Sequence, residues 1–211
     1  MRRFAKTTAL AGLLGPLVFV AVFLVEGRLR PGYDPRGMFV SELSLGPRGW
    51  VQAANFLVSG TLIALFGWGL RAAFSHGVAA RFGPLLVQIM GLSLLLSGFF
   101  PTDPSAIFDQ HSSPGIAHGI LGAVFFSLSP IACLVFARRF RTDAAWRGFA
   151  PWTLLAAALL LVGIVALKAS QFPASALFAW KGLIQRGLLV VVMGWLCALA
   201  VGVYRHEARH R

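Results

Sequence analysis

The sequence predicts an all-α protein, a polytopic transmembrane bundle of about six helices with both termini in the cytoplasm. Hydrophobic residues make up 57% of its 211 residues and charged residues only 12%, whereas about a quarter of an ordinary soluble domain is charged. Its 7 acidic residues are too few to solvate the outside of a soluble fold. Six apolar stretches each approach the roughly 20 residues that cross a bilayer. We therefore predict a single membrane domain surrounded by lipid.

The six predicted helices follow one another along the chain. The first comes directly after Arg2 and Arg3 and has no convincing small-x-small cleavage site, so we interpret it as a retained helix and not as a secretory signal. The second is the most polar, and we expect its polar turns to face other helices. The predicted spans are 7–25, 51–70, 82–100, 115–137, 150–167 and 181–204, and the polar residues of the second are Gln52, Asn55, Ser59 and Thr61.

Proline and glycine positions agree with these spans. Pro84, Pro114 and Pro151 stand at predicted helix starts, where the missing N–H costs nothing, and Ser112 or Ser113 is a candidate cap for the fourth helix. Glycines recur at small-residue spacing in the second and fourth helices, which favours tight packing within the bundle, with a dimerisation face as the alternative. These glycines are Gly60, Gly67, Gly69, Gly115, Gly119 and Gly122.

Basic residues predict the orientation. The chain carries a formal net charge of +12, but its Lys and Arg residues cluster at the ends of apolar stretches, which is typical of contact with anionic lipid head groups. No basic stripe is interleaved with exposed aromatics, so we expect no nucleic-acid partner. The third connection, 101–114, has no Lys or Arg, and we place it outside a cell membrane. The predicted cytoplasmic side collects Arg71, Arg81, Arg138, Arg139, Arg141 and Arg147.

Ionisable and amide side chains gather at the predicted outer face, and we predict that they form a pocket for a lipid head group or small amphiphile. Inserting an arginine into the membrane costs up to about 2.5 to 3.5 kcal/mol at the centre of a transmembrane helix. We therefore expect Arg186 to pair with a carboxylate, with snorkelling to the interface as the alternative. The predicted ligand-binding residues are Glu42, Asp103, His118, Gln185 and Arg186, with Asp109 as a further possible countercharge and Lys168, Gln171 and Lys181 at the same level.

Two other interpretations stay open. His111, His118 and Asp103 would suit zinc or iron with one open position, and the protein would then be a metal-dependent hydrolase of lipids with Glu42 as a possible base. A small transporter is the second alternative, although the helices lack paired breaks in mid-membrane. The leading interpretation needs no cofactor and names no catalytic residue. Membrane lipids are the expected partners, and the oligomeric state is open.

Three segments carry a resemblance to a known family. They are the Ser-Glu-Leu-Ser-Leu-Gly run at 41–46, the Phe-Phe-Pro-Thr-Asp-Pro turn at 99–104 and the stretch from His111 to His118. With them the chain resembles the domain-of-unknown-function family 998, which comprises prokaryotic six-helix membrane proteins. The resemblance implies the fold and the membrane location but no activity. A looser resemblance to alkaline ceramidases and progestin-receptor-like proteins implies a zinc hydrolase, but the chain lacks their His-x-x-x-His pair and is one helix short.

Overall fold

The computed structural model describes residues 2–74, 78–105 and 111–209. Within these residues the chain forms six long α-helices and three short 3-10 helices, with no strand. Each long helix is long and apolar enough to cross a membrane, which confirms the predicted all-α, multi-pass class. The long helices are α1 (Arg2–Leu29), α2 (Gly49–Ala73), α3 (Val78–Ser97), α4 (Ser113–Thr142), α5 (Ala150–Ala169) and α6 (Lys181–Arg209), and the 3-10 helices are Val40–Ser44, Arg147–Phe149 and Phe178–Trp180.

Several helices differ in length from their predicted spans. Helix α4 continues to Thr142 and α6 to Arg209, five residues past each predicted end, because arginine is a good helix former and a change from apolar to basic residues does not end a helix. Helix α3 instead ends at Ser97. The backbone then turns, with the Gly98 N–H bonded to the Leu95 carbonyl at 3.0 Å, ahead of Pro101.

The helices form a closed ring in chain order. Each helix packs against the next one along the chain, and α6 returns to pack against α1. Because the helices alternate in direction, the α1–α2, α3–α4 and α5–α6 connections meet at one end of the ring, which we call the loop end. The predicted orientation puts the loop end outside the membrane, and the orientation itself stays a prediction.

Glycines set the distance between α2 and α3. A Cβ added to Gly60 would lie 2.2 Å from the Leu95 backbone nitrogen, and one added to Gly67 would lie 2.5 Å from the Gln88 nitrogen. The two backbones therefore approach more closely than any larger residue allows. In lipid, helices associate through such close packing because the hydrophobic effect does not hold them together. The glycine spacing in α2 predicts this close contact.

The polar stripe of α2 faces inward, as expected, except at one residue. Gln52, Asn55 and Ser59 are buried, and the Asn55 amide donates to the Phe19 carbonyl of α1 at 3.1 Å. Thr61 is exposed. Its hydroxyl donates to the Leu57 carbonyl one turn earlier at 2.7 Å, so a threonine can face lipid because its own helix satisfies its hydroxyl.

Candidate functional site

Arg186 on α6 binds the backbone of the α1–α2 connection, which we call the first connection. Its Nη1 donates to the carbonyls of Pro35 at 2.6 Å, Met38 at 3.0 Å and Gly182 at 3.0 Å, and its Nη2 donates to the Tyr33 hydroxyl. The side chain is only 8% exposed. A buried guanidinium is stable only where its donors are paired, and these oxygens supply the pairing.

Among the described residues, the partners of Arg186 differ in kind from the expected carboxylate. Neither Glu42 nor Asp103 forms an ion pair with it among the ion pairs of the described residues, and Asp109 lies outside them. Snorkelling does not describe it either, because the side chain is buried. Backbone carbonyls and a phenol satisfy this arginine, and composition alone does not reveal such partners.

Tyr33 links this arginine to the rest of the first connection. Its hydroxyl donates to the Phe39 carbonyl at 2.9 Å while it accepts from Arg186. Burial raises the pKa of the Tyr33 phenol above its ordinary value, because the charged phenolate is poorly solvated there, and the neighbouring guanidinium of Arg186 only partly offsets this rise in pKa. Tyr33 therefore acts as a neutral hydrogen-bonding bridge.

Glu42 and Gln185 link the α1–α2 connection to the α3–α4 connection and to α6. The Gln185 Oε1 accepts from the Val40 N–H at 2.7 Å. The two carboxylate oxygens of Glu42 accept from the N–H groups of Phe39 at 2.8 Å and Ser105 at 3.1 Å, and Glu42 is only 2% exposed. Glu42 thus ties the 3-10 helix Val40–Ser44 to the α3–α4 connection. Arg186 and Gln185 hold the α1–α2 connection against α6.

Asp103 holds the start of α4. Its carboxylate accepts from the Ser112 N–H at 3.0 Å and the Ser112 hydroxyl at 2.7 Å, and Ser112 caps the helix by accepting from the Gly115 N–H at 3.0 Å. The structure thus selects Ser112 from the two predicted caps. A negative charge is favourable at a helix N-terminus, so Asp103 has a clear role in folding.

The three predicted metal ligands do not meet. His111 Nδ1 lies 3.8 Å from Asp103 Oδ2, but His118 Nδ1 bonds to the Phe100 carbonyl at 2.7 Å, and its ring packs against Phe56. Since a carbonyl only accepts, that nitrogen carries the proton. Among the described residues, no three His, Cys, Asp or Glu side chains are grouped as a metal site requires. The described residues therefore do not bring His111, His118 and Asp103 together as one metal-ligating group.

An apolar cavity of about 250 Å³, which we call the inner cavity, lies inside the ring. Gly119 and Gly122 of α4 face it, and a Cβ on either glycine would have no neighbour within 4 Å. The prediction that these two glycines pack against another helix was wrong, because they border open space. Every long helix contributes to the wall, for example Phe19, Phe56, Leu94, Phe125, Ile164 and Leu189 in chain order.

A second and more polar cavity of about 680 Å³, which we call the mouth, adjoins the inner cavity at the loop end. Asp103, His111 and Lys181 line the mouth only. Lys168 in the last turn of α5 and Gln171 just after that helix lie in the wall common to both cavities. The residues of that common wall are Phe39, Thr102, Gly119, Ala123, Lys168 and Gln171.

The five predicted ligand-binding residues divide between these cavities and their framework. His118 and Gln185 line the inner cavity and Asp103 lines the mouth, whereas Glu42 and Arg186 line neither. Sequence reasoning placed Lys168 and Gln171 at the correct level but left them out of the pocket. Their spacing of three residues at a helix end was the signal that could have included them.

Comparison with protein-family models decides the family. The model described as "Protein of unknown function (DUF998)" matches residues 13–202, which is most of the chain and covers all or part of each of the six helices. The chain belongs to the DUF998 family. Comparison of this DUF998 protein with curated proteins and with solved structures finds no match. The family resemblance of the sequence is confirmed, and the description of the family assigns no function.

Proposed function

We propose that this DUF998 protein binds an amphiphile at the loop end, with the apolar chain in the inner cavity and the polar head group in the mouth. One observation carries the proposal, namely an apolar space lined by residues of all six helices that adjoins a space with charged residues in its wall. An amphiphile has the same division into an apolar and a polar part. Ligand pockets generally combine a mainly apolar wall with a few polar groups that orient the ligand.

The size of the inner cavity supports an apolar ligand. An apolar protein cavity of about 150 Å³ already binds benzene, and the inner cavity measures about 250 Å³. It has room for an apolar chain or ring. A ligand chain that moves from lipid into the cavity gains little hydrophobic free energy, because both surroundings are apolar. Its affinity comes from dispersion contacts with wall atoms, which have no such contacts while the cavity is empty.

The rim of the mouth supports access from the membrane. Ile116 and Ile120 of α4 and Phe172 after α5 line the mouth and are 51%, 59% and 67% exposed. Exposed apolar side chains on a membrane-spanning bundle face lipid. A membrane amphiphile can thus enter without crossing water, and with the predicted orientation the site opens to the outer leaflet of the cell membrane.

The predicted site residues have two kinds of role in this proposal. His118 and Gln185 border the chain in the inner cavity, and Asp103 borders the head group. Glu42 and Arg186 act as framework, since they hold Phe39 and the Val40–Ser44 segment that form part of the cavity wall. The function requires no metal and no reaction.

Photolabelling of the protein in lipid nanodiscs tests the proposal. The probe is a long-chain alcohol with a diazirine at the end of its chain, and labelled residues are identified by mass spectrometry. We expect labels on residues that line the inner cavity. The variant Gly122→Leu places a side chain in that cavity where the probe chain would lie, and we expect it to lower labelling by about tenfold, which corresponds to about 1.4 kcal/mol of binding free energy.

Gly194→Leu provides the matched control. Gly194 is exposed on α6, and its Cβ would meet no atom within 4 Å, so the same substitution there leaves the cavity unchanged. Equal labelling of the inner cavity in wild type and in Gly122→Leu, or labels confined to the outer surface of the bundle, would contradict the proposal.

A further inference from the structure

Lys168 is a charged residue in the wall that the two cavities share. It lies in the last turn of α5, is exposed, and borders both the inner cavity and the mouth. Within the residues that the structure describes, its ammonium makes no hydrogen bond or ion pair. A positive charge therefore stands where the chain of a bound amphiphile would meet its head group.

The nearby carboxylates are engaged elsewhere. Asp103 accepts two hydrogen bonds from Ser112, and Glu42 accepts from the N–H groups of Phe39 and Ser105. Both acidic groups thus stabilise the framework, and neither is an ion-pair partner of Lys168.

A second lysine of the mouth is engaged with the framework. Lys181 at the start of α6 lines the mouth, donates to the Ser105 carbonyl at 3.4 Å, and has the Glu42 carboxylate as an electrostatic neighbour. The ammonium of Lys168 pairs with no carboxylate of the described residues. Lys168 is therefore the positive group that a ligand of negative charge can bind by charge-assisted hydrogen bonds.

We propose that Lys168 selects amphiphiles with an anionic head group, a carboxylate or a phosphate monoester, by binding that group at the junction of the inner cavity and the mouth. This inference rests on the proposed function and adds the chemical class of the ligand. Gln171 lies beside Lys168 in the same wall, and its side-chain amide can donate to the same head group. Selectivity arises because a neutral head group gains no charge-assisted hydrogen bond from the ammonium.

The test uses three photolabels with the same diazirine-bearing chain and different head groups, a carboxylate, a phosphate monoester and an alcohol. Each is added to the protein in nanodiscs of zwitterionic phosphatidylcholine. We expect the two anionic probes to label the inner cavity of the wild type about tenfold more strongly than the alcohol does. The carboxylate and phosphate arms show which anionic head group is preferred.

Two substitutions and one control isolate the charge. Lys168→Gln lowers labelling by the anionic probes to the level of the alcohol and leaves labelling by the alcohol unchanged, whereas Lys168→Arg keeps the preference. Lys6→Gln is the matched control, because Lys6 lies on α1 over the Tyr204 ring of α6 and lines neither cavity; it changes nothing.

The outcomes separate this inference from the proposed function. If all three probes label the inner cavity equally, or if Lys168→Gln keeps the anionic preference, Lys168 does not select the head group, although an amphiphile still binds. If no probe labels the inner cavity, the proposed function fails and the selectivity fails with it.

Discussion

Tyr33 and Arg186 are joined by a buried hydrogen bond across the loop end, although 153 residues separate them in the chain. The same phenol donates to the Phe39 carbonyl, so the guanidinium is connected through one side chain to the segment that forms part of the cavity wall. Phe39 borders both cavities and Val40 borders the inner one. The shape of the proposed site thus depends on a contact between α6 and the first connection.

Replacing Arg186 by lysine should destabilise the protein although the charge is kept. A single ammonium cannot reach the carbonyls of Pro35 and Met38 and the Tyr33 hydroxyl together, and each buried polar group left unpaired costs about 1 to 3 kcal/mol. We expect Arg186→Lys to lower the melting temperature in detergent by several degrees. Arg205→Lys on the exposed side of α6 is the control, and equal melting of both variants would refute the role given to Arg186.

The Tyr33 phenol should titrate above the ordinary tyrosine pKa of 10.0. The chain has two tyrosines, so Tyr204→Phe leaves Tyr33 as the single phenol, and the ultraviolet absorbance of the phenolate reports its pKa directly. Because the pKa is raised in the folded state, the native protein keeps a proton that the unfolded chain loses. Stability is therefore unaffected below about pH 10 and decreases as the pH rises further.

Two measurements check this alkaline dependence. Melting temperatures of Tyr204→Phe should fall as the pH rises above about 10, and that part of the pH dependence should be absent from the double variant that also carries Tyr33→Phe. A Tyr33 phenolate that appears below pH 10 would show that burial does not raise the pKa of this phenol.

The six helices could be predicted because every membrane span must be apolar, and the gathering of polar residues at one end followed from the helix order. The partners of those residues could not be predicted in the same way. Arg186 binds carbonyl oxygens, which every residue possesses, so no pattern of residue types points to Pro35 or Met38. Gly119 and Gly122 have the spacing of a packing motif, but only the positions of the neighbouring helices show that they face a cavity.

Replacing Glu42 by glutamine should loosen the α3–α4 connection. Both carboxylate oxygens of Glu42 accept backbone N–H groups, and an amide has one oxygen, so its NH₂ group would face an N–H donor. We expect faster hydrogen exchange at the Ser105 amide, measured by mass spectrometry. Asp34→Asn is the control, because the exposed Asp34 accepts the N–H groups of Arg36 and Gly37 in its own turn. Unchanged hydrogen exchange at the Ser105 amide in Glu42→Gln would contradict the inference that Glu42 joins the first connection to the α3–α4 connection.

Replacing Gly60 by alanine should destabilise the ring at the contact between α2 and α3. The added Cβ would lie 2.2 Å from the backbone nitrogen of Leu95 and 2.7 Å from the Gly91 carbonyl oxygen, and backbone atoms cannot rotate away as a side chain can. Helices α2 and α3 must then separate, which disrupts the packing that stabilises membrane bundles.

Gly194→Ala serves as the comparison for Gly60→Ala because Gly194 is also a helical glycine but its Cβ would meet open space. Alanine is a better helix former than glycine by about 1 kcal/mol, so Gly194→Ala should keep or slightly raise the melting temperature, whereas Gly60→Ala should lower it markedly. The opposite signs distinguish a steric effect from a general effect of glycine replacement. Two variants with the same melting temperature would mean that α2 and α3 are not held as closely as the structure places them.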